Sequence, residues 1–249
     1  GTTLSAVKVG VVPANGGSTR WFDIPGDPRN NYLARMDFIP GSTDLLIQQL
    51  NRKQNQNRVW IGSAETMHVE NIMTDTDSAF LDLHDNIRWL DQNRYFTWTS
   101  ERDGWLHLYK VSRDGKQWHK ITQGNFDVVR IVFIDEQGGY VYYIASPENY
   151  TQRFLYRSRL DGKGQAERIT PAGSRGQHNY QLSGNARWAI HTYEDAETPP
   201  VTSVIRLPDH RVMTVLEDNA SLKTRYNALK LQPKEFVKVP IDGIVLDAW

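Results

Sequence analysis

The chain has 249 residues, of which 29 are Lys or Arg and 29 are Asp or Glu, so its formal net charge is zero. This balance argues against a nucleic-acid-binding surface and against polybasic adhesion to a membrane, and no apolar run of about 18 residues is present to span one. Cysteine is absent, which excludes disulfides, a thiolate nucleophile and a zinc site built on sulfur.

Short apolar or alternating runs follow one another along the chain, and each is ended by Gly, Pro, Asn or Asp. Successive examples are residues 6–12, 44–50, 95–100, 140–145 and 212–216. Such runs, in a chain with 11% aromatic residues, predict an all-β fold. Only residues 219–229 resemble a helix, and this segment is short.

Two segments of the chain repeat each other. Residues 108–115 and 155–162 both begin with Leu-Tyr and end with Asp-Gly, an Ile-Thr pair follows each, and the two lie 47 residues apart. Asp-Gly between two strands predicts a hairpin, because Gly adopts a positive φ without penalty. Turns near residues 40, 91, 135 and 183 recur with a similar spacing. Each period holds about four strands, which is typical of a β-propeller blade of roughly 40 to 50 residues.

Four such units cover residues 32–218, and two strands, residues 6–12 and 19–24, precede them as half of another blade. Because four and a half blades do not easily close a ring, we expect a partial β-propeller, the C-terminal part of one with seven or eight blades. We divide the chain into propeller blades over residues 1–226 and terminal strands over residues 227–249. The first residues show no charged or apolar leader segment, and the chain reads as a piece of a longer one.

Motifs for catalysis and metal binding are absent from the sequence. There is no Gly-x-Ser-x-Gly, His-Glu-x-x-His, phosphate-binding loop or Gly-x-Gly-x-x-Gly, and the seven histidines show no ligand spacing. We therefore predict no catalytic residue, no metal site and no cofactor. Several carboxylate pairs would suit glycoside hydrolysis, although solvated turns are the favoured explanation: Asp75 with Asp77, Asp82 with Asp85, and the group Glu194, Asp195 and Glu197.

Two polar segments are candidates for function. Residues 80–85 lead into the inner strand of the second full blade, where a propeller faces its central funnel, although a capped loop is the alternative. Residues 99–109 are expected to form a strand, a tight charged turn at Gly104 and another strand. Bonds from the side chains of Ser100 and Asp103 to the local backbone would hold this turn, so a structural role is favoured for it.

The turn resembles a signature of the propeller in dipeptidyl peptidase IV-like serine peptidases of the prolyl oligopeptidase clan. Residues 81–85 are similar to the segment that precedes this turn in the family, and residues 121–128, 139–146 and 215–219 resemble later parts of the same propeller. Residues 242–249 resemble the strand that leads from the propeller into the family's hydrolase domain. The resemblance therefore covers nearly the whole chain in order. The residues of the turn motif are Ser100, Glu101, Arg102, Asp103, Gly104 and Trp105.

The resemblance implies an eight-bladed propeller fused to an α/β-hydrolase domain, which carries Ser, Asp and His and cleaves after a penultimate proline or alanine. The sequence departs from the family in lacking both the hydrolase domain and the pair of adjacent glutamates that holds the substrate amine. What carries over is the funnel-facing loop. From it we predict four substrate-lining residues, which are Phe80, Leu81, His84 and Asp85.

Three hypotheses for function follow. The first is an inactive propeller fragment of an exported bacterial dipeptidyl or tripeptidyl peptidase, periplasmic or at the cell surface, whose partners are the peptide substrate and its own hydrolase domain. The second is a stand-alone propeller that acts as a scaffold for protein partners, and the third is a glycan-processing propeller with two carboxylates about 5 to 10 Å apart. Because the end sheets of an incomplete ring lack neighbours, we also predict self-association.

Overall fold

The computed structural model describes residues 5–83, 85, 87–229, 231–232 and 234–249. Within these residues it contains twenty strands and one short helix, so the predicted all-β fold is confirmed. Aromatic and β-branched side chains favour the strands, and Gly, Pro, Asn and Asp favour the turns between them. In this described part of the chain, no helix has the length and apolar character needed to cross a membrane.

The first part of the chain forms a two-stranded ribbon and two four-stranded sheets. The ribbon pairs β1 (Gly10–Val11) with β2 (Arg20–Trp21). The first sheet contains β3 (Asn31–Phe38), β4 (Asp44–Asn51), β5 (Gln56–Ser63) and β6 (Val69–Thr76). The second sheet contains β7 (Trp89–Leu90), β8 (Tyr95–Ser100), β9 (His107–Ser112) and β10 (Trp118–Lys120).

The rest of the chain forms two more four-stranded sheets, the helix and a terminal hairpin. The third sheet contains β11 (Arg130–Asp135), β12 (Tyr140–Ala145), β13 (Phe154–Arg159) and β14 (Glu167–Arg168). The fourth contains β15 (Gln177–Leu182), β16 (Trp188–Glu194), β17 (Val201–Arg206) and β18 (Arg211–Glu217). After them come α1 (Ala220–Ala228), β19 (Val237–Ile241) and β20 (Ile244–Ala248).

Each four-stranded sheet is an antiparallel meander in which the spatial order of the strands equals their order in the chain. This is the topology of a propeller blade, and the four sheets confirm the predicted four-stranded units. The strands predicted at residues 95–100 and 140–145 have those bounds in the structure, and α1 lies within the predicted residues 219–229. The proposed boundary after residue 226 falls inside α1, and it stays a prediction.

The ribbon is shorter than the sequence predicts. We expected strands over residues 6–12 and 19–24, whereas only two residues of each segment are paired as strand. Pro13 has no backbone N–H to donate to a ladder, and a ribbon of two strands has no third strand to extend its pairing. The half blade is therefore reduced to a short ribbon with irregular flanks.

The chain divides into two compact units, Gly1–Gly104 with Leu108–Lys120, and Trp105–His107 with Ile121–Trp249. In the first unit, Val9 and Phe22 from the ribbon segments pack against the first sheet, and the first sheet packs against the second. In the second unit, the third and fourth sheets share one apolar cluster that includes Leu155, Tyr180 and Ile205. Apolar burial between sheets is the main stabilising term in each unit.

Candidate functional site

The predicted substrate-lining segment is a loop between β6 and β7 that is anchored at its start. The carboxylate of Asp77 accepts hydrogen bonds from the backbone N–H groups of Ala79, at 2.6 Å, and Phe80, at 3.1 Å. The backbone N–H of Leu81 donates to the carbonyl of Gln54 at 2.7 Å. The side chain of Phe80 is half exposed, at 49%. The loop therefore presents an aromatic ring to solvent from a fixed backbone.

The end of the same loop carries charge. Asp85 forms an exposed ion pair with Arg35 of β3, in which both carboxylate oxygens accept bonds from the guanidinium. Bidentate pairs of this kind fix the orientation of the two groups. His84, the remaining predicted lining residue, lies outside the described residues. Nothing in this geometry tests the substrate-lining role, which stays a prediction for all four residues.

The turn motif is held by bonds that reach farther along the chain than the sequence predicts. Gly104 has a φ of 93°, and its N–H donates to the carbonyl of Glu101 at 2.8 Å, which forms the tight turn. The hydroxyl of Ser100 donates to Asp75 at 3.2 Å, and the ammonium of Lys120 pairs with Asp103. The side chains of Ser100 and Asp103 therefore bond to side chains distant in the sequence, whereas the local bond that closes the turn joins two backbone groups.

Asp75 is the centre of these contacts. It lies on β6 of the first sheet and is 4% exposed, and its second carboxylate oxygen accepts a bond from the indole N–H of Trp98 at 2.9 Å. A guanidinium nitrogen of Arg102 lies 3.6 Å from the carboxylate. A buried carboxylate is tolerated only where such donors replace water. Asp75 therefore links the first sheet to the second through three polar partners.

Arg102 is held from its other side by aromatic rings. Its guanidinium carbon lies 3.4 Å from the ring centroid of Trp118 and 5.7 Å from that of Tyr109. Cation–π contact and the Asp75 charge act on the same guanidinium, so its position is well determined. Burial, together with the nearby charge of Asp103, raises the pKa of Tyr109 to about 12. The phenol is therefore neutral at physiological pH.

This arrangement supplies structure and charge. Acyl transfer needs a nucleophile and an adjacent base that a substrate can reach, whereas the hydroxyl of Ser100 and the carboxylate of Asp75 that accepts its bond are both buried. Among the residues that the structure describes, no three His, Asp or Glu side chains are placed to hold a metal ion.

A second polar cluster lies in the fourth sheet, and the sequence analysis missed it. His178 on β15 and His191 on β16 are buried, and their rings stack with a 5° interplanar angle. The distance from Nδ1 of His178 to Nε2 of His191 is 2.9 Å. Beside them, the hydroxyl of Tyr180 lies 2.9 Å from Nε2 of His210 and 2.7 Å from the hydroxyl of Thr170.

The hydrogen bond between the imidazoles requires one unprotonated ring nitrogen, so the two rings cannot both be protonated. Nε2 of His178 donates to the carbonyl of Arg175 at 2.8 Å, so in the neutral ring Nδ1 accepts and Nε2 of His191 donates. Protonation of both rings would bring two N–H groups face to face. Burial lowers the pKa of His178 to about 4 and that of His191 to about 3, and it also lowers the pKa of His210.

A signal for this cluster was present in the sequence. His178 and Tyr180 are two residues apart, as are His191 and Tyr193, and residues two apart on a strand share one face. Two such pairs on neighbouring strands predict one polar aromatic face. Spacing along the chain does not show which residues face each other across strands, and the register that aligns Tyr180 with His191 is set only in the folded sheet.

Comparison with known proteins agrees with the resemblance. The family model described as "Dipeptidyl peptidase IV (DPP IV) N-terminal region" matches residues 1–200. The crystal structure of Porphyromonas gingivalis dipeptidyl peptidase 4 superposes with a TM-score of 0.81 at 28% identity, over 93% of this chain and 32% of that one. A protein named "Probable dipeptidyl-aminopeptidase B" from Emericella nidulans is 26% identical over 217 residues, which cover 81% of this chain and 24% of that protein.

Proposed function

The chain belongs to the family of the dipeptidyl peptidase IV N-terminal region, and from this premise we propose that it is the non-catalytic propeller portion of a serine dipeptidyl or tripeptidyl peptidase with post-proline specificity. The observation that carries the proposal is the family match over residues 1–200, joined to the superposition over 93% of the chain. The chain spans about a quarter of the length of the first curated relative. In the proposal, the remainder of the parent supplies the hydrolase domain.

In this role the propeller gates access to the active site and helps to bind the peptide. The start of the loop supports the second part of the role, because the backbone of Phe80 and Leu81 is anchored and the ring of Phe80 is available to an apolar substrate side chain. The pair of Asp85 with Arg35 adds fixed polar groups at the end of the loop. We assign Phe80, Leu81 and Asp85 to substrate lining on this basis, and His84 on the resemblance of residues 81–85 to the family.

Catalysis in the parent is acyl transfer through an activated serine and an oxyanion hole. The sequence of this chain contains no Gly-x-Ser-x-Gly. We therefore expect the purified chain to release no fluorophore above a buffer blank from Gly-Pro-aminomethylcoumarin. Measurable turnover by the chain alone would overturn the non-catalytic assignment.

The substrate-lining assignment is tested in the full-length parent. Phe80→Ala removes the half-exposed ring, and we expect kcat/KM for Gly-Pro-aminomethylcoumarin to fall about tenfold, the loss of about 1.4 kcal/mol of apolar contact. The matched control is Tyr150→Ala, which removes another exposed ring, 58% accessible, from a loop of the third sheet. Equal kinetics for Phe80→Ala and the unmodified parent would remove Phe80 from the binding site.

The fragment is also proposed to self-associate. Every residue of β18 is exposed, and Val212, Val215 and Leu216 are each more than half accessible. Exposed apolar strand edges favour pairing with another chain. Light scattering should show a mass that rises with concentration, whereas a constant monomer mass would contradict the proposal.

A periplasmic or cell-surface location in a bacterium completes the proposal. Cell fractionation of the source organism tests it, and recovery of the parent in the cytoplasmic fraction would contradict it.

A further inference from the structure

A cleft of about 830 Å³ lies between the first and second sheets of the first unit. Its apolar part consists of Ile61 and Ile72, which are half-buried, together with the ring of Tyr95. The turn between β7 and β8 and the turn between β9 and β10 form its other side. The cleft contains no residue of the substrate-lining loop or of the turn motif, so the proposed peptidase role leaves it unexplained.

The walls of the cleft are preformed. A Cβ atom on Gly115 would lie 2.0 Å from the carbonyl oxygen of Ile72, so glycine allows the β9–β10 turn to lie directly against β6. On the other wall, the side-chain amide of Asn93 donates to the carbonyl of Pro40 at 2.6 Å. An ion pair of 2.5 Å joins Arg113 of the second sheet to Asp44 of the first. A ligand would not need to order these walls, which favours binding.

The rim of the cleft is a strained turn. Three successive non-glycine residues, Asp91, Gln92 and Asn93, have φ values of 51°, 57° and 63°. A non-glycine residue in this region costs about 1 kcal/mol or more, and such residues are concentrated at active sites and ligand clamps. The carboxylate of Asp91 is held by Lys110 at 2.6 Å, and Asn93 by Pro40. Gln92, between them, is exposed and directs no side-chain bond to any residue that the structure describes.

The charges around the cleft indicate the class of ligand. Asp44 is paired with Arg113, and Asp114 accepts a bond of 2.5 Å from the hydroxyl of Ser112. The polar groups left for a ligand are Ser63, His68, Glu70, Gln92, Arg94 and Gln117. In this set the carboxylate of Glu70 and the guanidinium of Arg94 balance each other in charge. With three carboxylates and two arginines along its lining, the cleft has no cationic excess to hold a phosphate.

From this combination we propose that the cleft binds a neutral, hydroxyl-rich ligand of the size of a mono- or disaccharide. Amide and carboxylate groups such as those of Gln92 and Glu70 bind neighbouring hydroxyls through paired donors and acceptors. The isoleucines and the tyrosine ring offer an apolar surface to the C–H face of a sugar ring. Pockets in proteins combine an apolar lining with a few directed polar groups in this way.

The experiment is saturation-transfer NMR on the full chain, with α-1,2-mannobiose, cellobiose and di-N-acetylchitobiose as probes and the tripeptide Ala-Pro-Ala as the alternative class. We expect at least one disaccharide to bind, with its dissociation constant raised about tenfold by Gln92→Ala and by Glu70→Gln. The matched control is Gln137→Ala, an exposed glutamine in the corresponding turn between β11 and β12, which should leave binding unchanged. Circular dichroism of each variant confirms that the fold is retained.

A further comparison uses mannobiose coupled to serum albumin, with uncoupled albumin as the control. It tests whether the source of the ligand is a protein-linked glycan or a free sugar. Binding that Gln92→Ala and Glu70→Gln weaken, and that Gln137→Ala does not, supports the cleft. No binding of any disaccharide overturns the proposal, as does binding that all three variants leave unchanged. Binding of Ala-Pro-Ala alone, sensitive to Gln92→Ala, overturns it in favour of a peptide site.

Discussion

The two hairpins that repeat in the sequence, β9–β10 and β13–β14, share a backbone and differ in their surroundings. Gly115 and Gly162 have φ values of 72° and 70°, and the aspartate before each accepts a bond from the backbone N–H two residues later, at 3.1 and 3.0 Å. Even the cation–π contacts repeat, with Lys110 4.4 Å from the ring of Tyr95 and Arg157 4.3 Å from that of Tyr140.

The neighbours of the hairpins are different. The first hairpin carries Trp118 and Tyr109, which receive the Arg102 guanidinium held by the buried carboxylate of Asp75. The second is followed by Thr170, whose hydroxyl lies 2.7 Å from that of Tyr180 and so joins the histidine cluster. One blade is therefore stabilised around a charge and another around neutral imidazoles. The repeat determines the hairpin, and the adjoining sheet determines how its polar groups are satisfied.

The largest expected effect comes from acid, which acts on the histidine cluster beside the β13–β14 hairpin. Because burial lowers the pKa values of His178 and His191 to about 4 and about 3, the unfolded chain binds more protons below about pH 6.5. The contribution of these histidines to stability is therefore fully present above that pH and is lost as the pH drops toward 4. At about 1.4 kcal/mol per unit of pKa, we expect each histidine to account for a loss of about 3 kcal/mol, measured by urea unfolding.

Other charges near the cluster modify this effect without reversing it. The charges of Arg168 and His210 lower the pKa of His178 further, whereas Asp209 acts to raise that of His210. The control is His191→Asn, which removes one titrating group and should reduce the loss between pH 6.5 and 5. An equal acid response in the variant and the unmodified chain would exclude His191 as a contributor.

Asp75→Ala should have the next largest effect, and it acts on the polar groups beside the β9–β10 hairpin. The substitution leaves the indole N–H of Trp98 and the hydroxyl of Ser100 without their buried acceptor and removes the partner of Arg102. We expect the free energy of unfolding to fall by about 3 kcal/mol. Asp82→Ala, at an exposed loop position, is the control and should change it by less than about 0.5 kcal/mol. Similar values for the two variants would show that Asp75 does not join the sheets.

Two glycine substitutions distinguish the energetic cost of the backbone conformation of a hairpin from the cost of a clash with its surroundings. Gly115→Ala places a Cβ 2.0 Å from the Ile72 carbonyl oxygen, whereas Gly164→Ala, in the β13–β14 loop at a φ of 82°, meets no atom within 4 Å. Both variants incur the cost of a positive φ, about 1 kcal/mol, and only the first adds a clash. We expect losses of about 2 to 3 and about 1 kcal/mol by urea unfolding. Equal losses would contradict the close approach of the first hairpin to β6.

The smallest expected effect concerns the turn aspartates. The bonds from Arg159 hold the pKa of Asp161 at about 2, and the hydroxyl of Ser112 lowers the pKa of Asp114. Arg159→Ala should raise the pKa of Asp161 toward its ordinary value and leave that of Asp114 unchanged, as followed by carboxyl 13C shifts in an NMR titration. A joint shift of both aspartates would indicate a global change instead.

The sequence by itself determined the strands, the turns and the repeated hairpins, because alternation of side chains and the Asp-Gly turn are local properties of the backbone. It also determined the family, since the turn motif and the order of the later segments survive at 28% identity to a solved relative. The ribbon was predicted too long, because the sequence does not show that its strands lack further partners.

Only the tertiary structure decided where the polar groups meet. Asp75 and Trp98 are 23 residues apart, and His178 and His191 are 13 apart, so neither contact follows from spacing along one strand. Each depends on which sheets pack together and in which register, and burial then sets the pKa values of the groups brought inside. Local propensity therefore predicts the blades, whereas their chemistry arises from contacts between strands and sheets.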